Sequence, residues 1–241
     1  MNYKITFYNN IVELLTERNA NFINKIKHLT SRVFNELAKK TNQNGKTSAI
    51  SILQHLKEMT SDGKTTWRTS VMLDDYKNLE LPMLPNTGKP IPFKFKFNLN
   101  GSHFKTSSFE TKGHCLHQTI RGKKFIAEIY IEMDIYLTEN FDPQNNARHF
   151  INTFQGALTH EIAHAQDEFL GREIDGYVQK GNTSDEDLKY LVYWLKPTEI
   201  RSHMLEMVQL LSSNSYNNPN RTFRNMYKTA AKAEEIGMKH T

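Results

Sequence analysis

Apolar side chains recur at helical spacing near both ends of the chain and at strand spacing in its middle. Between Ile11 and Lys39 they return every three or four residues, which predicts an amphipathic helical region with Asn19 to Asn21 as a candidate break. A second helix is predicted from Thr47 to Met59, between a turn at 42–45 and a Ser-Asp-Gly stop. Residues 1–8 alternate weakly and are interpreted as an edge strand.

The middle third follows the period-two pattern of strands. A loop at 82–92 with four prolines and Gly88 leads into Phe93 to Phe97, where phenylalanine alternates with lysine. Residues 103–111 and 125–133 have the same character, so we expect a small, mostly antiparallel sheet. The segment 125–133 is also a candidate edge strand to which an extended peptide could add.

Helical spacing returns from about Arg148 onward. Polar residues at 142–146 are expected to separate the sheet from this half, and Pro197 stands where a new helix would begin. The predicted helices are Arg148 to Phe169, Asp185 to Leu195, Thr198 to Ser212 and Thr222 to Ile236. The predicted class is α+β, either as one continuous domain over 1–241 or as an N-terminal helical region, 1–62, followed by a domain over 63–241.

Composition narrows the class of protein. The chain has 241 residues, of which 38% are hydrophobic and 24% charged, and no apolar run reaches the length of about 18–20 residues that a membrane helix needs. The net charge is +5, but the lysines are scattered, which argues against a nucleic-acid partner. A single cysteine, Cys115, and an N-terminus without a hydrophobic signal segment favour a cytoplasmic location or packaging in a virion. The oligomeric state stays open.

An H-E-x-x-H motif, residues 160–164, carries the clearest chemistry. Its two histidines, His160 and His164, are four residues apart in a helical pattern, so both lie on one helix face and can converge on a tetrahedral Zn²⁺. Glu161 projects beside such an ion and can accept a proton from the water bound to it. Because zinc lowers the pKa of that water to roughly 7, the motif predicts a zinc-dependent hydrolase.

A catalytic zinc normally takes three protein ligands and keeps a fourth position open. The metzincin pattern would require Gly and His at the positions of Asp167 and Leu170, so that class is excluded. The best candidate third ligand is Glu199, in the first turn of a new helix, although an acid there could simply favour the helix dipole. Asp175 is the more plausible reserve; Glu168 and Glu173 are the others.

The motif followed by a helical Glu-x-x-Ser, Glu199 to Ser202, resembles the gluzincin metallopeptidases. The likeness covers the segment from Thr159 to His203. It implies a zincin-like domain over 63–241, with His160, His164 and Glu199 as zinc ligands, Glu161 as the base and a peptide or protein as substrate.

Two positions depart from the family pattern. Thermolysin-like enzymes have Asn and Asp where this chain has Thr198 and His203, which leaves open what orients the ligand histidines, although His203 could take part. We therefore expect a divergent viral or bacterial enzyme. The alternatives are a zinc hydrolase of another amide, such as one in a cell wall, and a structural, particle-associated protein with a vestigial metal site.

Two weaker patterns carry alternatives of their own. The segment His114 to His117 could suggest a second metal site, but a polar strand or turn is the simpler interpretation. Tyr177, Tyr190 and Tyr193 are candidate oxyanion donors, with packing in the helical half as the alternative.

Overall fold

Four α-helices, one short 3-10 helix (Asp74–Tyr76) and four strands are present in the described part of this computed structural model, which covers residues 17–43, 47–101, 106–171 and 197–212. The α-helices are α1 (Glu17–Lys39), α2 (Ser48–Ser61), α3 (Pro143–Phe169) and α4 (Pro197–Ser212), and the strands are β1 (Thr66–Val71), β2 (Phe93–Asn100), β3 (Ser108–Ile120) and β4 (Lys123–Tyr136). The α+β class is confirmed. The strand predicted at 1–8 and the helices predicted at 185–195 and 222–236 lie outside the described residues. No described helix has both the length and the hydrophobicity needed to cross a membrane.

The sheet is mixed, with strand order β1-β2-β4-β3. β1 pairs with β2 and β3 pairs with β4 in antiparallel fashion, whereas β2 and β4 run parallel. Two of the three strand pairings are antiparallel, as expected, and the sheet is mixed because the return strand of the β3–β4 hairpin inserts beside β2. The prediction of an edge strand at 125–133 is wrong: β4 is paired on both sides, and the two edge strands are β1 and β3.

The β3–β4 hairpin is longer than the sequence pattern indicated. Its turn, Arg121–Gly122, has positive φ angles of 50° and 75°, which is the backbone twist that lets two long strands continue straight out of a two-residue turn. Strand β1 was not predicted at all. Its side chains are exposed or half-buried until Val71, so it lacks an apolar alternation.

Two helix boundaries differ from the prediction. Helix α3 begins at Pro143 rather than near Arg148, because the Asp142 side chain accepts a hydrogen bond from the backbone N–H of Gln144 at 2.9 Å and proline suits the first helical position. Residues 142–146 therefore start the helix instead of separating it from the sheet. Helix α1 runs through Asn19 to Asn21 without a break.

Phenylalanine side chains join the sheet to the helices. The ring of Phe154 on α3 lies 5.2 Å from that of Phe95 on β2 and 4.8 Å from that of Phe34 on α1, between centroids. Buried apolar residues from both sides of position 62 form one hydrophobic cluster. This packing holds α3 against the sheet, and α4 packs against α3.

Candidate metal centre

Arg201 fastens helix α4 to helix α3. Its guanidinium donates to the Asp167 carboxylate at 2.7 Å, to the Gln166 side-chain oxygen at 3.0 Å and to the carbonyl oxygen of Ala163 at 3.4 Å. Glu199 lies two residues earlier on α4. The same contacts therefore bring the Glu199 carboxylate next to the H-E-x-x-H turn of α3.

The predicted ligand residues His160, His164 and Glu199 meet at one point. The two histidine Nε2 atoms are 3.1 Å apart, and Glu199 Oε2 lies 3.6 Å from His160 Nε2 and 3.4 Å from His164 Nε2. A single point lies about 2.0 Å from all three atoms, which matches the zinc–nitrogen and zinc–oxygen distances of about 2.0–2.2 Å. The donor set fits a tetrahedral ion with its fourth position open.

Electrostatics at this point also suit a cation. The Glu199 carboxylate is only 5% exposed, and an ionised carboxylate at such depth needs a compensating charge. Burial acts to lower the pKa of His164, but the adjacent Glu199 carboxylate, together with Glu161 and Asp167, outweighs it, so the pKa is raised overall. A proton on His164 can thus balance Glu199 in the metal-free protein, and a bound cation would replace that proton.

Glu161, the predicted base, is held between α3 and strand β3. It is 4% exposed, and a Cβ atom on Gly113 of β3 would lie 2.5 Å from its Oε1 atom. The Cys115 thiol donates to the Glu161 carbonyl oxygen at 3.5 Å, and its sulfur is 3.9 Å from the Glu161 Oε2 atom. The absence of a side chain at Gly113 is what gives the Glu161 carboxylate its place.

Burial raises the pKa of Glu161 to about 7, against the attraction of His164 and with added repulsion from Glu199. A carboxyl group with a pKa near neutrality is matched to taking up and releasing a proton at physiological pH. The site therefore combines a set of three metal-type donors with an adjacent acid–base group.

The other candidates do not join this group. Glu168 turns instead to His117, with its Oε2 atom 2.7 Å from the ring Nε2 atom. His114 to His117 lie in strand β3 and form no metal-binding group with the rest of the described chain. Asp175 and Glu173, like the three candidate tyrosines, Tyr177, Tyr190 and Tyr193, fall outside the described residues.

Sequence reasoning missed Glu206. Its Oε2 atom lies 3.9 Å from His160 Nδ1 and 3.4 Å from His203 Nδ1, and these three residues form a second group with metal-type donors. The available signal was the spacing of Glu199, His203 and Glu206, which places all three on one face of α4. No sequence signal marked Gly113, because its role depends on contact with a distant helix.

Comparisons with known proteins found no relative of this chain. No protein-family model matches the chain, no curated protein is similar to it, and no solved structure matches it. The resemblance of the motif to gluzincin peptidases stays a prediction. The case for a function therefore depends on the geometry of the site.

Proposed function

We propose that the protein is a zinc-dependent peptidase of gluzincin-like type. The observation that carries the proposal is the triangle of donor atoms from His160, His164 and Glu199, with edges of 3.1, 3.6 and 3.4 Å. These three residues would hold the ion. Bound there, zinc would supply Lewis-acid chemistry, polarising a scissile carbonyl and making a water molecule acidic.

Glu161 would act as the general base and then as the general acid. Its carboxylate takes a proton from the attacking water and passes it to the departing amine, which requires a pKa close to the working pH. Burial raises the pKa of this carboxyl group and the proposed zinc ion would lower it again, while the contact with Gly113 fixes the position of the side chain. Since it directly follows the ligand His160 on α3, Glu161 lies beside the donor triangle without belonging to it.

Strand β3 favours a peptide over other amide substrates. It is an edge strand, and within the described residues no strand pairs with its outer edge. Gly113 and Cys115 of this strand contact Glu161. An extended peptide that paired with β3 through main-chain hydrogen bonds would therefore pass next to the base.

Elemental analysis of the purified protein and a peptide-library cleavage assay, with and without chelator, test the proposal. The wild type and Glu161→Gln should each carry one zinc per chain, and His160→Ala should carry none. Cleavage should be chelator-sensitive in the wild type, lower by about 10²–10⁴-fold in Glu161→Gln, and absent in His160→Ala. Glu168→Gln, on the same helix but outside the triangle, is the matched control and should cleave normally. Full activity in Glu161→Gln, or a wild type that takes up no zinc, would refute the proposal.

A further inference from the structure

We propose that Glu206 is a positioning residue, which accepts the Nδ1 proton of His160 and so keeps the Nε2 atom of that ring directed at the ion. This inference rests on the proposed zinc site and names what orients its first ligand. The experiment below separates the two claims.

The His160 ring uses its two nitrogens differently. Nε2 faces His164 and Glu199, whereas Nδ1 is buried and has no hydrogen-bond partner in the described structure. A neutral imidazole that binds a metal through Nε2 carries its hydrogen on Nδ1. Metal-binding histidines nearly always donate that hydrogen to a carboxylate, carbonyl or water. His160 therefore needs an acceptor on its Nδ1 side.

Glu206 supplies the carboxylate on that side. Its Oε2 atom is 3.9 Å from His160 Nδ1, and its side chain is 32% exposed, so the carboxylate can rotate toward the ring. Closing the gap to about 2.8 Å makes a charge-assisted hydrogen bond. Such contacts are often long in the ligand-free state and shorten when the site is filled.

Gly156 leaves room for the Glu206 side chain. This glycine precedes His160 by one helical turn on α3, and a Cβ atom there would lie 3.1 Å from Glu206 Oε1 and 3.3 Å from its Cγ. Both distances are tighter than ordinary contacts. Glycine at this position thus lets Glu206 of α4 lie against α3 beside the His160 ring.

His203 holds the same carboxylate from the other side. Its Nδ1 atom is 3.4 Å from Glu206 Oε2, and its ring lies 4.4 Å from the His160 ring, between centroids. The acceptor for the ligand histidine thus comes from Glu206, one turn beyond His203, and His203 orients it.

Zinc affinity of the full-length protein, measured by competition with a chromogenic chelator, tests the inference. Glu206→Leu should bind zinc about 10–100-fold more weakly than the wild type. Glu206→Gln, which keeps the size and an oxygen acceptor, should lose less. Glu168→Leu breaks a carboxylate–histidine pair outside the donor triangle, between Glu168 and His117, and should leave the affinity unchanged. Wild-type affinity in Glu206→Leu would overturn the proposal.

Nitrogen-15 NMR of the histidine rings gives a readout that needs no metal. At pH 8 in the metal-free protein, His160 should carry its proton on Nδ1 in the wild type and shift it toward Nε2 in Glu206→Leu. If Glu206→Leu does not fold, the comparison is made with Glu206→Gln, whose Nδ1 population should be intermediate. If the wild type binds no zinc, the proposed function fails and the ring tautomer alone decides this inference. A wild-type proton on Nε2 would then overturn it.

Discussion

Replacing Glu161 by glutamine should stabilise the metal-free protein at neutral and alkaline pH but not in acid. The side chain is 4% exposed, and burial raises its pKa from 4.5 to about 7, while His164 attracts the charged form and Glu199 repels it. Glutamine keeps the shape of the side chain and removes the charge. The variant therefore isolates the free energy of keeping this carboxylate ionised inside the fold.

The direction of the change in stability with pH follows from the pKa values of Glu161 in the folded and unfolded states. Because the folded state holds the proton more tightly than the unfolded state, the stabilisation linked to that proton is fully present below about pH 4.5 and is lost as the pH rises through about 7. The interval from 4.5 to about 7, at about 1.36 kcal/mol per pH unit, corresponds to about 3 kcal/mol. The wild type should lose that amount relative to Glu161→Gln.

Urea unfolding at pH 5 and pH 8, in the presence of a chelator, measures this difference. Between these two pH values the free energy of unfolding of Glu161→Gln should rise by about 2–3 kcal/mol relative to the wild type, because part of the effect is already lost at pH 5. Glu36→Gln, which removes an exposed carboxylate paired with Lys39, should follow the wild type. Added zinc should shrink the effect, because a nearby cation lowers the pKa of the carboxyl group. A stability difference that is the same at both pH values would refute the burial argument.

Two further predictions concern contacts that hold the site together. Gly113→Ala places a Cβ atom 2.5 Å from Glu161 Oε1, so peptide cleavage should fall about 100-fold while zinc content is kept. The control is Gly101→Ala, whose Cβ would meet its nearest atom at 3.7 Å and which should cleave normally. Equal activity in the two variants would contradict the role given to Gly113 in placing Glu161. Arg201→Met removes the guanidinium from the Asp167 carboxylate, which is only 2% exposed, and should lower the free energy of unfolding in urea by about 3 kcal/mol; an unchanged urea midpoint would show that this contact does not fasten α4.

The local half of the site could be read from the sequence. His160 and His164 are one helical turn apart, so their convergence needs only the helix itself, which the apolar spacing of α3 predicted. Glu199 was nominated because Pro197 and the spacing after it predicted the start of α4. The convergence of the two histidines needs only local geometry, whereas the approach of Glu199 to them depends on the packing of α4 against α3.

The position of each strand in the sheet was decided by long-range pairing. Apolar and polar residues alternate along β4, which shows that one face of the strand is buried. An edge strand and a central strand show this same alternation. The position of β4 between β2 and β3 therefore could not be read from the pattern. The same limit applies to the hairpin insertion that made the sheet mixed.

Sequence alone determined the helical turn that presents two imidazoles and a neighbouring carboxylate, because a helix is set by hydrogen bonds between residues only four apart. Only the tertiary structure brought Gly113 against Glu161 and Glu206 against His160. Those contacts join residues far apart in the chain, and their existence depends on how sheet and helices pack. No pattern of hydrophobicity within either segment encodes them.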